Sequence, residues 1–214
     1  METTAVIDFE TTGISPEHGA RATEIAAVLV RDGRIVDRYQ SLMNAGVWVP
    51  SFIEELTGIS NDMVRAAPSA AVVMREVADF VGATPLVAHN ASFDRRFWDA
   101  ELARVHKQRH QEFACTMLLA RRIFPDAPDH KLGTLVRLAG LPAAGRAHRA
   151  MADAEMATSL LVHMEQELAR RFRLGVVTHE MLRDIQGSTR GRLDDWAARF
   201  IGGPHRAAPP TGRR

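Results

Sequence analysis

Apolar and polar positions change period along the chain, and the changes predict its elements. Val6-Ile7-Asp8-Phe9-Glu10 is an apolar run that takes up acids at alternate positions, the two-residue period of a strand. Thr23 to Val30 reads as a second strand, Asp32-Gly33 as a hairpin turn, and Arg34 to Met43 as the returning partner. Short helices are expected over Pro50 to Leu56, stopped at Thr57-Gly58, and from Ser60-Asn61 to a close before Pro68. Ser69 to Val81 has helical spacing, with Ser69 as N-cap and Gly82 as stop. Pro85 to Ala88 is a brief strand that runs straight into His89-Asn90. Ser92 to His106 follows as a helix with Phe93, Phe97, Trp98, Leu102 and Val105 on its packed face.

Phe113 to Cys115 predicts a fifth strand, Thr116 to Ile123 a helix, and Leu132 to Leu138 another helix stopped by Gly140. One long helix runs from His148 to about Arg173, and two short ones cover His179 to Ile185 and Leu193 to Ile201. Three hairpin-like strands followed by alternating strands and helices predict an α/β fold with a mixed five-stranded sheet flanked by helices and a helical C-terminal extension. The expected divisions are 1–173 for the main domain, 174–201 for the extension and 202–214 for a disordered tail rich in Pro, Gly and Arg.

Composition changes this picture little. The 214 residues are 46% hydrophobic and 25% charged, ordinary for one soluble core. No apolar run is long enough for a bilayer, and the start has neither a basic n-region nor a long apolar h-region. The lone Cys115 excludes an internal disulfide framework and a zinc site of several cysteines, so a reducing, cytoplasmic setting is expected without membrane contact. Cys115 itself, like Trp48, Trp98, Trp196 and the methionines of the long helix, reads as a packing residue. Charge is uneven: the last fifty residues carry ten arginines against six acids, a basic end suited to a polyanionic partner.

The chemistry lies in three short segments. On the first strand Asp8 and Glu10 share a face, while Ile7 and Phe9 point to the other and can be buried. Two acids so placed repel unless a cation sits between them, and hard divalent cations take such oxygen ligands. His89-Asn90-Ala91-Ser92-Phe93-Asp94 stands where a buried strand ends and a helix begins. Asp94 falls in that helix's first turn, where a helix-dipole role with Asn90 or Ser92 as the cap is the competing explanation. In His148-Arg149-Ala150-Met151-Ala152-Asp153 the five-residue spacing sets His148 and Asp153 about 140° apart on a helix, so His148 belongs on the loop before it.

Asp-Phe-Glu-Thr-Thr-Gly, His-Asn-x-x-Phe-Asp and His-x-Ala-x-x-Asp, in this order and spacing, resemble the three motifs of the DEDDh (DnaQ-like) exonucleases, in particular the epsilon-like proofreading branch. Leu56-Thr57-Gly58-Ile59 and Thr116 resemble intervening signatures, and the likeness runs from Thr3 to Glu167. It implies a ribonuclease H-like fold and metal-dependent 3′→5′ hydrolysis of nucleic-acid ends, with DNA preferred over RNA. It also implies two divalent cations, Mg2+ with Mn2+ as substitute. Asp8 would bridge them, Glu10 and Asp153 would complete one, Asp94 would support the other, and His148 would act as general base. Thr11, Thr12 and Gly13 would receive the 3′ end, with Asn90 and His89 beside them. Phe93 either stacks on a base or packs in its helix, and His89 either faces the groove or satisfies a buried backbone group. The expected partner is single-stranded DNA or another nucleic-acid 3′ end. A DNA polymerase is a further candidate, although no apolar cluster follows Gln186 as a clamp-binding peptide would require.

Overall fold

Five strands form one mixed sheet in the order β3-β2-β1-β4-β5. β1 (Thr4–Thr11), β2 (Ala22–Arg31) and β3 (Arg34–Leu42) are the expected antiparallel meander, while β4 (Leu86–Ala88) and β5 (Phe113–Cys115) add parallel to β1. The computed structural model describes residues 2–143, 145 and 148–202, so of the tail expected over 202–214 all but Gly202 lies outside the described residues, and Gly202 itself ends the last helix. The β2–β3 turn works because both Asp32 and Gly33 adopt positive φ, +54° and +70°, the twist a two-residue hairpin needs.

Nine helices follow among the described residues. They are α1 (Ser51–Thr57), α2 (Asn61–Ala66), α3 (Ala70–Val81), α4 (Ala91–Arg104), α5 (Thr116–Ile123), α6 (Leu132–Leu138), α7 (Ala150–Phe172), α8 (His179–Gly187) and α9 (Leu193–Gly202). Their ends follow local chemistry: Ser60 and Ser69 accept from Met63 N and Val72 N at the starts of α2 and α3, and Gly58 closes α1 at φ +73°.

Strand parity decides what each helix covers. Ala5, Ile7 and Phe9 bury against α3 and α4, with Phe97 and Trp98 at the centre of that layer. Val6, Val87 and Ala114 face the opposite layer, built on Leu160, Leu161 and Met164 of α7 and joined by α8 and α9 through Leu182, Ile185 and Trp196. The C-terminal extension therefore completes this core. Asp8 and Glu10 share parity with Val6 and open toward α7. The small residues Ala150 and Ala154 let the start of α7 lie close on Ala26 and Val28 of β2.

Gln186 of α8 has a structural task. Its Oε1 accepts from Cys115 N at 2.7 Å and its Nε2 donates to Phe113 O at 3.1 Å, closing the outer edge of β5 as a neighbouring strand would. One packing expectation fails. Trp98 and Trp196 are buried, but Trp48 is 72% exposed, because it sits in the loop before α1 and Val49 takes the inward position.

Candidate active site

The catalytic candidates converge at the C-terminal end of β1. Asp8, Glu10 and Asp153 each offer a carboxylate oxygen, and these oxygens lie within 4.8 Å of one another. Asp8 and Glu10 come from one face of β1, and Asp153 descends from the first turn of α7 above them. Asp94 arrives from the first turn of α4 and is 2% exposed. Its Oδ1 accepts the Phe9 backbone N–H at 3.2 Å, which locks the start of α4 onto β1 between the two strand acids. The side chain of Asn90, at the N-cap position with φ +63°, makes no capping hydrogen bond, so the helix-cap explanation of this segment does not account for it. His148 stands outside α7 at φ +60°, exposed, as its spacing required. Its backbone N–H donates to Asp153 Oδ2 at 3.2 Å.

These acids are held in protonated-favouring surroundings. Burial, then the charges of Asp94, Asp153, Glu10 and Glu24, pushes Asp8 well above the usual carboxylate range. Glu10 rises to about 8 through burial and its acidic neighbours, with Arg149 pulling slightly the other way. Burial raises Asp94 to about 7 against the help of the Phe9 N–H, and raises Asp153 against the influence of His148. A divalent cation would relieve all four shifts together. The donor set fits Mg2+ or Mn2+: it is made of carboxylate oxygens alone, with neither thiolate nor a histidine nitrogen among the three grouped ligands.

Beside the acids lies a cavity of about 540 Å³ lined by Thr11, Gly13, Ile14, Phe52, Leu56 and Phe93 as well as the four acids and His148. Thr11 donates its hydroxyl to Gly13 O at 2.7 Å, and Thr12 Oγ1 accepts from Arg21 N at 3.0 Å. Both hydroxyls thus hold the turn, and Thr12 is directed to Arg21, away from the cavity lining. Phe93 is half-buried: it packs on Phe97 at 4.9 Å between ring centroids and also lines the cavity. His89 forms part of the wall, but its nitrogens are occupied. Nε2 meets His130 O at 3.0 Å, so it carries the proton, and Nδ1 accepts from Thr116 Oγ1 at 2.9 Å. Burial lowers its pKa to about 4, and the ring remains neutral. His89 therefore lines the cavity and satisfies a backbone carbonyl at once, its imidazole held between a carbonyl and a hydroxyl.

Sequence reading missed two groups of residues. Ile14, Phe52 and Leu56 are large, apolar and exposed around the cavity, at 79%, 63% and 47%. Phe52 and Leu56 stand four apart on α1 while Ile53 turns inward, and that helical spacing was available in the sequence. Glu24 was the other omission. A charge inside the run Thr23 to Val30 needs a buried partner, and it has one: Arg149 donates to it at 3.1 and 2.8 Å, with Ala150 N at 3.1 Å and Gln40 Nε2 at 2.8 Å.

The exonuclease family model (RNase_T) matches residues 5–161. Over 174 residues the chain is 30% identical to DNA polymerase III subunit epsilon of Aquifex aeolicus, covering 81% of this chain and 85% of that one. It is 37% identical over 167 residues to the 3′-5′ exonuclease DinG of Bacillus subtilis, covering 76% of this chain and 18% of DinG. Other curated relatives are similarly long, and the chain spans 11% to 18% of the length of the first of them. Among solved structures, exonuclease X in complex with 5′ overhanging duplex DNA aligns with a TM-score of 0.68 at 28% identity, covering 86% of this chain and 99% of that one.

Proposed function

The chain belongs to the DnaQ-like, DEDDh exonuclease family, with its ribonuclease H-like fold, and on that premise we propose that it removes nucleotides from DNA 3′ ends by metal-dependent hydrolysis, releasing nucleoside monophosphates. The observation that carries this reading is the convergence of Asp8, Glu10, Asp94 and Asp153, all with raised pKa, beside a cavity with an apolar rim.

Each residue then has a task. Asp8, Glu10 and Asp153 would hold one cation at the strand end, and Asp94, tied to Phe9 N, would support a second. Bound there, two divalent cations supply Lewis-acid stabilisation of the charge that develops on the phosphate and the leaving 3′-oxygen. His148, exposed at the rim with its backbone held by Asp153, takes the proton from the attacking water. Phe52, Leu56, Ile14 and Phe93 receive the terminal nucleoside, whose π-face stacks whatever its base. The backbone of Thr11 to Gly13 borders the sugar. Asn90 lies on the other side of the acids and contacts the strand further from its end.

The preference for DNA draws on the relatives: one is a DNA polymerase III subunit, and the structural neighbour holds duplex DNA. The likeness to epsilon also favours a polymerase partner as a second reading, in which the protein proofreads within an assembly. No helix among the described residues is long and apolar enough to cross a membrane, and a cytoplasmic site of action is part of the proposal.

Single-stranded DNA and RNA oligonucleotides of matched sequence, labelled at the 5′ end and incubated with Mg2+, test the reading. DNA should shorten one nucleotide at a time, faster than RNA, and chelator should stop it. Internal cuts, shortening from the 5′ end, or metal-independent cleavage would overturn it, and faster loss of RNA would make the enzyme an exoribonuclease.

A further inference from the structure

A second cavity, of about 870 Å³, adjoins the apolar one. The two share His89, His148 and Asp153, so they adjoin at that edge of the acid cluster, with Asp8, Glu10 and Asp94 on the apolar side. Their linings differ in kind. The apolar arm ends on Phe52, Leu56 and Ile14, whereas the other carries Arg121 of α5, Lys131 just before α6, Arg137 of α6, and Arg190 of the α8–α9 loop.

These four cations are unusual for this protein. Ion pairs hold many of the others, among them Arg21–Glu101, Arg109–Asp99, Arg171–Asp194 and Arg183–Glu112. Among the described residues none of the four makes an ion pair with a carboxylate. Asp129, the one acid of this arm apart from Asp153, accepts the Lys131 backbone N–H at 2.9 Å at the start of α6, and the charges of Lys131 and Arg137 also reach it, so one carboxylate offsets part of the charge of the four cations. The position of Arg190 is also built. Arg122 donates from Nε and one terminal nitrogen to Ser188 O at 3.0 and 2.9 Å, and from the other to Leu118 O at 2.9 Å. That fixes the α8–α9 loop against α5, and Gly191 at φ +76° turns the chain just after Arg190. Burial, and after it the nearby charges of Arg121 and Arg190, lower the pKa of Arg122. Four cations around Asp129 leave this wall with a surplus of positive charge that adds nothing to stability, whereas a polyanion crossing it would gain from that surplus.

We infer that this basic arm, with Arg190 contributed by the C-terminal extension, carries the phosphates of the DNA strand upstream of the scissile bond, while the apolar arm holds the terminal nucleoside. The assignment rests on the proposed exonuclease activity and gives the arginine-rich extension a part in it. Such contacts act on the backbone alone and are indifferent to sequence. They make affinity depend on chain length and salt, each phosphate neutralised on a single strand contributing about 0.7 to the slope of log K against log salt.

The test compares a 20-nucleotide DNA strand with the p-nitrophenyl ester of thymidine 5′-monophosphate, which has no upstream phosphates. Arg190→Glu and the double variant Lys131→Ala/Arg190→Ala, all at exposed positions, are measured on both substrates from 50 to 200 mM salt. The expected result is a fall of tenfold or more in the ratio of kcat/KM on the strand to that on the ester. The salt slope of strand binding should also drop by about 0.7 per cation removed. An unchanged ratio and slope, with the wild type cleaving both substrates, would overturn the basic arm and leave the exonuclease reading intact. A wild type that cleaves neither would remove the exonuclease reading and this inference with it.

Discussion

Glu24 of β2 stands directly across the sheet from Glu10 of β1, yet the two carboxylates are treated in opposite ways. Glu24, 1% exposed, takes two hydrogen bonds from Arg149, and these with the Gln40 and Ala150 donors hold its pKa below the usual value despite burial. Among the described residues Glu10 has no hydrogen-bonded cation, only the more distant pull of Arg149, and it rises to about 8. One acid is committed to structure and the other is left available to a cation. Arg149 is also the residue between His148 and the first turn of α7, so the pair fixes the segment that presents the proposed base.

Glu24→Gln should therefore damage both stability and turnover. Breaking a buried pair on one side costs about 3–5 kcal/mol, less where a partner is partly wet. Arg149 is about a third exposed, and a loss of about 1–3 kcal/mol is expected. If His148 is positioned through this anchor, kcat should fall by tenfold or more with KM little changed. A drop in melting temperature without any loss of kcat would make Glu24 structural only.

Asp8→Asn should separate activity from stability. It removes a ligand of the proposed cation, and the loss of several kcal/mol of transition-state stabilisation corresponds to about 10³-fold in rate. It also removes one of the like charges crowded at the strand end, so the metal-free variant should melt no lower than the wild type at pH 8. Oligonucleotide cleavage and thermal melting check the two halves. Activity near that of the wild type would sink the assignment.

The extent to which this was legible in the sequence has physical reasons. Asp8, Glu10 and Asp153 were readable because strand alternation and the start of a helix set the direction of a side chain from local rules alone. The loop position of His148 followed from its 140° offset, and its positive φ agrees. What escaped depends on contacts distant along the chain. The Glu24–Arg149 pair joins residues 125 apart, and Gln186 closes the edge of a strand 71 residues away, which no local period encodes. Trp48 was misread for a related reason: an aromatic ring is a packing residue only where the chain turns it inward, and here the loop turns it out.

The raised acids give the metal-free protein a defined pH dependence. Glu10 titrates near 8 in the folded chain against 4.5 when unfolded, and Asp94 near 7 against 3.8. Between those limits the folded state binds more protons, so its stability should fall as pH rises from about 4.5 to about 8. Mg2+ or Mn2+ competes with those protons and should stabilise more as pH rises. Thermal melting with chelator and with metal at pH 5.5 and pH 8 measures this. An equal metal-induced shift at both values would contradict it.

His148→Ala should lower kcat by about 10²–10⁴-fold, the usual share of a general base. The His148 contact with Asp153 is made by backbone N–H, which alanine retains, so Mn2+ affinity by calorimetry should stay within about threefold. Lost metal affinity with turnover intact would make His148 a ligand.

Phe52→Ala addresses the apolar arm. Phe52 is 63% exposed, so its removal leaves no cavity in the core and the melting temperature should not change. If the ring stacks on the terminal base, its loss costs about 1–3 kcal/mol of binding, which raises KM for an oligonucleotide by roughly 5- to 150-fold. The increase should be similar for all four terminal bases, because stacking uses the π-face common to each. Phe52→Trp should restore most of the affinity, since a larger ring offers the same contact. Steady-state kinetics on four oligonucleotides differing only in the last base provides the readout. A KM that rises for one base alone would point to hydrogen-bond recognition instead. An unchanged KM for all four would take Phe52 out of the substrate site and leave its exposure on the rim of the cavity unexplained.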